Sequence, residues 1–411
     1  MTTVGIEAIN AYTGPASLDV RQLFEARGLD LRRFGNLLMT RKSVNLPCED
    51  PVTNAVNAAK PIVDALPPDA RERVELVIVG TESGLDFGKP ISTYVHEALG
   101  LSRRCRSFET KHACYGGTAA LQMAAGFVAT HPDPQVRALV IAADAASVAA
   151  RNTYWEPSQG AGAVALVVSR RPDILALDAG ANGYYSHEVM DTLRPRPDLE
   201  AGDSDLSLLS YMHCLEQSYQ HYTERVVGAD IMTTFDYLVL HTPFAGMVRS
   251  AHRQLLRKLK RMSPERIEAD FQARVMPSLR YCTEVGNVYS AALYLALCAL
   301  LDHGDFDRPR RIGLYSYGSG CASEFYSGVV AEGAAARLAA LDLPGRIAAR
   351  HPLTIAEYET VSDDSLHRMC GVRDHVFDVG GYEHIYKTQM EGRGLLVLGE
   401  IRDFHRRYRW S

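Results

Sequence analysis

The sequence lacks any apolar run long enough to cross a bilayer. Its longest, Ala119–Thr130 and Ala291–Leu301, fall short of the ~20 residues a membrane helix needs and read as buried helices. No basic stretch followed by an apolar run comes after Met1, so nothing there reads as a signal peptide. A basic excess is missing as well. The 44 Lys and Arg against 49 Asp and Glu leave a net charge of −5, which argues against a nucleic-acid partner. The eight cysteines (48, 105, 114, 214, 282, 298, 321, 370) form no Cys-x-x-Cys pair and no Cys/His spacing suited to zinc. A reduced, cytoplasmic protein with free thiols is therefore expected, with neither membrane nor nucleic acid as partner. What is present, 46% hydrophobic and 23% charged residues over 411 positions, suits a folded protein large enough for two core-bearing halves.

Three apolar, β-branched runs, Val74–Val79, Ala138–Ala143 and Gly162–Val168, read as buried strands. Between the first two, Cys114-Tyr-Gly-Gly-Thr-Ala-Ala-Leu-Gln-Met-Ala-Ala reads as a small-residue helix packed between layers. The plan recurs. Tyr237–Leu240 is a strand ending at His241, Gly286-Asn287 opens a second small apolar helix, and Arg311–Ser316 is a strand running into Gly318-Ser319-Gly320. This predicts a duplicated α/β unit, residues 1–170 and 171–411, with loops from both halves meeting over one site. The stretch from Gly345 to Asp378 reads as largely helical, Gly394–Gly399 as a late strand, and Pro195–Ala201 as an exposed loop.

Cys114 stands at a predicted helix start before Gly116-Gly117, where unpaired N–H groups and the helix dipole favour a thiolate. An inert buried thiol is the ordinary alternative, and the other seven cysteines keep it. Glu82 follows a buried strand. Burial would raise its proton affinity and suit it to proton abstraction, the alternative being a surface loop carboxylate. His241 ends the equivalent strand of the second half, fit for acid–base work or for anchoring a thioester, against the commoner satisfied core histidine. Asn287, placed like Cys114, caps its helix or holds a substrate carbonyl. Gly318-Ser319-Gly320 is either an oxyanion site or a plain tight turn, and Glu156–Gly162 is equally open.

In this order, Gly80-Thr-Glu82-Ser-Gly, His112-Ala-Cys114-Tyr-Gly-Gly-Thr, Glu156-Pro-Ser158-Gln-Gly, His241-Thr-Pro-Phe244, Gly286-Asn287-Val-Tyr and Ser316-Tyr317-Gly-Ser319-Gly320-Cys resemble the hydroxymethylglutaryl-CoA synthase family. The resemblance runs through nearly the whole chain. It implies a thiolase fold (duplicated αβαβα layers), a homodimer, and a Glu82–Cys114–His241 catalytic set. It also implies substrate contacts at Ser158, Phe244, Asn287, Tyr317, Ser319 and Gly320, with no metal or redox cofactor. Cys114 would take an acetyl group from a thioester, and Glu82 would remove a methyl proton. The enolate would add to a β-ketone of an acceptor thioester, and water would release the product.

Within that family His187-Glu-Val-Met-Asp-Thr-Leu-Arg-Pro-Arg-Pro, Gly202-Asp-Ser-Asp-Leu-Ser-Leu-Leu-Ser-Tyr and the segment His241–Met262 resemble the curacin-type branch, which performs β-branching in polyketide assembly. That likeness implies donor and acceptor acyl carrier proteins as partners, their acyl groups borne on phosphopantetheine. CoA-dependent members typically carry a Lys where this chain has Gly246. The basic stretch with Arg249, Arg253, Arg257, Lys258, Lys260 and Arg261 would suit an acidic carrier surface, with Arg32 and Arg33 a second contact, although charge runs are more often solvated helix faces. The segment between Asp144 and Glu156 is short beside curacin-type relatives. The alternatives are a primary-metabolism synthase using acetyl-CoA and acetoacetyl-CoA, a ketosynthase of the same fold, or a silent carrier-protein scaffold.

Overall fold

The computed structural model describes residues 3–145 and 148–411, so residues 146 and 147 of the short Asp144–Glu156 segment lie outside the described residues. Nine strands form the main sheet: β1 (Gly5–Tyr12), β2 (Val74–Gly80), β3 (Arg106–Thr110), β4 (Arg137–Asp144), β5 (Gly162–Ser169), β6 (Leu175–Ser186), β7 (Tyr237–Leu240), β8 (Arg310–Gly318) and β9 (Ala322–Val330). Five helices matter for the site: α1 (Pro51–Asp64), α2 (Gly116–Thr130), α3 (Ser204–Arg225), α4 (Ala245–Lys260) and α5 (Ala292–His303).

The strand order is β7-β8-β9-β6-β1-β5-β4-β2-β3. In the first half β3, β2 and β4 are parallel and β5 runs against its neighbours β4 and β1. In the second, β7 and β8 are parallel and β9 runs against β8 and β6. The second half thus repeats the first without a counterpart of β3. Parallel neighbours need a crossover, and α2 and α5 supply it at equivalent places. The halves join where Gly5 and Ile6 of β1 pair with Ala176 and Leu175 of β6.

Period-two alternation builds the layers. Along β4, Ala138, Val140 and Ala142 join a core with α2 and α5, while Leu139, Ile141 and Ala143 join a second core with α1. A third core, from α3 and α4, covers the outer face of the second half. The result is the five-layered αβαβα arrangement expected from the sequence. Every residue of Ala292–Leu301 is at most 1% exposed, as its unbroken apolarity predicts. Ala119–Thr130 is different: one face packs inward, but Met123 stands 51% exposed.

The tail holds the expected helices and late strand, with one departure. Helices Leu343–Ala348 and Ile355–Ser365 are split by a strand, His351–Leu353, whose Pro352 lacks the N–H a helix would use. That strand pairs with Ala16–Leu18, Leu398 donates its N–H to the Cys48 carbonyl, and Arg406 pairs with Asp50 at 3.1 Å. The late strand is Leu396–Arg402. The 170/171 division falls in the turn between β5 and β6, and the tail crosses back onto the first half. Pro195–Ala201 is not an open loop: it lies in a hairpin of Thr192–Arg196 against Leu199–Gly202.

Candidate active site

Cys114 lies just before α2, after Ala113 in the left-handed region at φ 39°. The end of β8 presses against this turn. A Cβ on Gly318 would sit 2.6 Å from the His112 carbonyl oxygen and the Tyr115 nitrogen, so only glycine fits. Glu82 follows the end of β2, and its Oε1 accepts the Cys114 thiol proton across 3.3 Å. His241 follows β7, its N–H bonded to the Tyr315 carbonyl and its own carbonyl accepting the Tyr211 hydroxyl at 2.7 Å. Glu82, Cys114, His241 and Asn287 line one cavity of about 570 Å³ at the ends of β2 and β7.

Electrostatics overturn one expectation. Burial raises the Cys114 thiol well above its usual range, and the adjacent Glu82 and Asp144 carboxylates add to it, so the helix mouth does not prevail. Glu82 is pushed up to about 7, first by burial, with Arg194 opposing and Asp144 reinforcing. The two groups share a proton across a short contact rather than carrying two negative charges. Burial alone lowers His241 to about 3, so its ring is neutral near pH 7, and its Nδ1 is buried without a partner.

Four neighbours fall outside the site residues expected from the sequence. Arg194, on the first strand of the hairpin, donates to the Glu82 carbonyl at 3.0 Å and sits 3.7 Å from its carboxylate. Glu200, on the partner strand, accepts from Arg194 at 3.0 Å. Tyr289 lies under the guanidinium, 5.1 Å from ring centre to Cζ, with its hydroxyl buried and unpartnered. Asp144, ending β4, accepts from the Glu82 N–H, the Thr81 and Ser83 hydroxyls and both the N–H and hydroxyl of Ser290. Its position at a strand end, like that of Glu82, was the available cue.

The other anticipated contacts divide. Ser158, Phe244, Tyr317 and Ser319 line the cavity. Gly320 does not: its N–H donates to Asp191 at 3.0 Å, which removes that amide from an oxyanion role. Asn287 accepts the Tyr289 N–H and donates to Gln159 at 3.3 Å, capping its turn while stitching the halves together. Glu156 is an anchor, fully buried and clasped by Arg27 at 2.7 and 2.8 Å. Arg33 stands at the cavity mouth. On α4, Arg249 pairs with Glu268, Lys258 with Glu216 and Lys260 with Asp230, which neutralises much of the basic stretch. Among the described residues, Arg33, Arg253 and Arg257 are exposed and have no carboxylate within 4.0 Å. Two groups with metal-ligating side chains, His187–Cys214–Cys321 and His351–Glu357–His384, lie outside the cavity lining.

Comparison with known proteins gives the family. Residues 2–173 match the N-terminal and residues 253–407 the C-terminal hydroxymethylglutaryl-coenzyme A synthase family models. The chain is 49% identical over 419 residues, covering all of both chains, to the polyketide biosynthesis 3-hydroxy-3-methylglutaryl-ACP synthase PksG of Bacillus subtilis (strain 168). It is 36% identical to a hydroxymethylglutaryl-CoA synthase of Enterococcus faecalis, covering 89% of this chain and 92% of the relative. The solved HMG synthase of the curacin biosynthetic pathway, in complex with apo donor-ACP, superposes with a TM-score of 0.96 at 53% identity over the full length of both chains. With its duplicated layers and its cysteine–glutamate contact, the chain belongs to the hydroxymethylglutaryl-CoA synthase family.

Proposed function

We propose that this enzyme adds a Cys114-bound acetyl group to the β-ketone of a polyketide chain, with both acyl groups delivered by acyl carrier proteins. The observation that carries the reading is the Cys114–Glu82 contact inside a cavity that also holds His241. A single carboxylate beside the sulfur can move every proton in the sequence of steps. Glu82 takes the thiol proton as Cys114 attacks the donor thioester, and returns it to the departing pantetheine thiol. Ionised again, it removes a methyl proton from the acetyl group, and that proton then neutralises the alkoxide formed at the acceptor ketone. Water finally releases the product from Cys114. His241, neutral and with a free ring nitrogen, positions the acceptor and is a poor proton donor at neutral pH. Glu82 is therefore the acid. No step needs a metal or redox cofactor.

Delivery by carrier proteins is supported by Gly246, in the first turn of α4. A Cβ there would lie 1.7 Å from the Asn36 carbonyl oxygen, so the lysine typical of CoA-dependent relatives has no room without displacing Asn36–Leu37. Arg33, Arg253 and Arg257 remain to meet an acidic surface. A cytoplasmic homodimer is part of the reading, supported by the exposed Met123 face of α2 and the free edge of β3. The test is turnover with acetyl and β-ketoacyl groups on carrier proteins, side by side with acetyl-CoA and acetoacetyl-CoA. Efficient use of the free CoA pair removes the carrier-protein assignment and leaves a primary-metabolism synthase.

A further inference from the structure

Cys214 and Cys321 are 107 residues apart in sequence, and each taken singly reads as an inert buried thiol. The fold sets their sulfurs 3.4 Å apart, Cys214 on α3 and Cys321 in the turn between β8 and β9. His187, just after β6, places its Nδ1 3.2 Å from the Cys321 sulfur, and its carbonyl accepts the Cys321 N–H at 2.8 Å. This is a nucleophile, a base and a second thiol in line, the arrangement of a thiol that oxidises and is then resolved by its neighbour. Nothing in the acyl chemistry uses it.

We propose that Cys321, with His187 as base and Cys214 as resolving thiol, is a second reactive site that a hydroperoxide converts to a disulfide. The Cys321 proton passes to His187, and the sulfur attacks one peroxide oxygen, giving a sulfenic acid and, from hydrogen peroxide, hydroxide. The Cys214 thiol then attacks that sulfur, forming the S–S bond and releasing water. Two thiols lose two electrons in all, and hydrogen peroxide becomes two waters. The hydrogen bond shared with Cys214 lowers the Cys321 thiol, with burial opposing. Cys114, by contrast, is held protonated beside Glu82. Both sulfurs are buried, behind the half-buried His187 and the exposed Gly320. A small oxidant should therefore react where a bulky alkylating agent does not.

The pair is wired to the acyl site. Closing the sulfurs from 3.4 Å to the ~2.05 Å of a disulfide takes up more than ~1 Å, shared between rotation of the two side chains and movement of α3 and the Gly318–Cys321 turn. Tyr211 lies one turn before Cys214 on α3 and holds the His241 carbonyl, while Ser319 of the turn and Tyr317, near the end of β8, line the cavity. Oxidation should slow turnover about tenfold to a hundredfold, since ~1 Å displacements cost that much. This effect on turnover rests on the acyl reading, but the bond itself does not.

The experiment is peptide mapping by mass spectrometry of the full-length protein after one equivalent of hydrogen peroxide, with and without dithiothreitol. A Cys214–Cys321 linked peptide that dithiothreitol removes is expected. Cys214→Ala should keep its basal turnover, form no linked peptide and leave Cys321 carrying added oxygen, as sulfenic or sulfinic acid, in the peptide map. If that variant does not fold, the map of the unaltered chain decides alone. The proposal is overturned if Cys214 and Cys321 both remain free after peroxide while Cys114 is oxidised. It is equally overturned if the isolated protein carries one zinc ion held by both sulfurs.

Discussion

Replacing Arg194 by Gln probes the proton affinity of Glu82 without touching the acyl group. The guanidinium lies 3.7 Å from the Glu82 carboxylate. At an effective dielectric constant of ~20, such a pair is worth at most about 4.5 kcal/mol, or roughly three pKa units. Relaxation and water trim this to about one to three units. Losing Arg194 also frees the Glu200 carboxylate, which acts in the same direction. The sign is fixed: Glu82 removes a proton only when ionised, so with its pKa near 7 the rate climbs with pH through neutrality. In Arg194→Gln the climb should move up by about one to three units, with kcat/KM near neutrality falling about tenfold to a thousandfold and recovering in alkaline buffer. The assay is kcat/KM for condensation followed from mildly acidic to alkaline pH. A uniform loss with the profile left in place would mean that Arg194 only orders the hairpin, and the electrostatic argument would fail. Arg194→Lys, which keeps the charge, should hold the profile close to that of the unaltered enzyme.

Other substitutions separate the remaining parts. Glu82→Gln removes the base that takes the Cys114 proton and, with it, the charge that raises that thiol, so acetylation of Cys114 should persist, slowed, in intact-mass spectra while condensation falls about 100- to 10,000-fold. Surviving condensation would remove Glu82 from the chemistry. Gly246→Ala should lower the melting temperature, at a cost of about 1–3 kcal/mol or more, because its Cβ meets the Asn36 backbone; an unchanged melt would mean that this segment yields freely. Arg33→Glu combined with Arg253→Glu and Arg257→Glu should raise KM for acyl carrier protein substrates and flatten its salt dependence, leaving acetylation by a small-molecule thioester alone. Equal loss with both donors would point to damage inside the cavity instead.

Much of this site is readable in the sequence because its residues stand at the ends of apolar runs. Val74–Val79 and Tyr237–Leu240 are unmistakable strands, so Glu82 and His241 follow at strand ends, and the small-residue helix marks Cys114 by its first turn. The parts that escaped depend on distance in the chain. Pro195 and Pro197 with nearby acidic residues read as an exposed loop; the tip is exposed, but its flanks pair as a hairpin whose Arg194 and Glu200 neutralise each other beside Glu82. Asp144 gains its role only when Thr81 and Ser83 of one segment and Ser290 of another converge on it. The thiolate expectation failed for a physical reason. A helix terminus carries about half a charge, and burial beside two carboxylates outweighs it. Cys214 and Cys321 meet through β-sheet pairing and helix packing, which no spacing rule reports.

The most direct test is the fate of an acetyl group offered on a donor carrier protein. Peptide mapping should find it on Cys114, and the adduct should disappear when a β-ketoacyl carrier protein is added, in step with a new branched carboxylate on the acceptor. No adduct on Cys114, or an adduct that the acceptor leaves untouched while Glu82 is intact, would contradict the account.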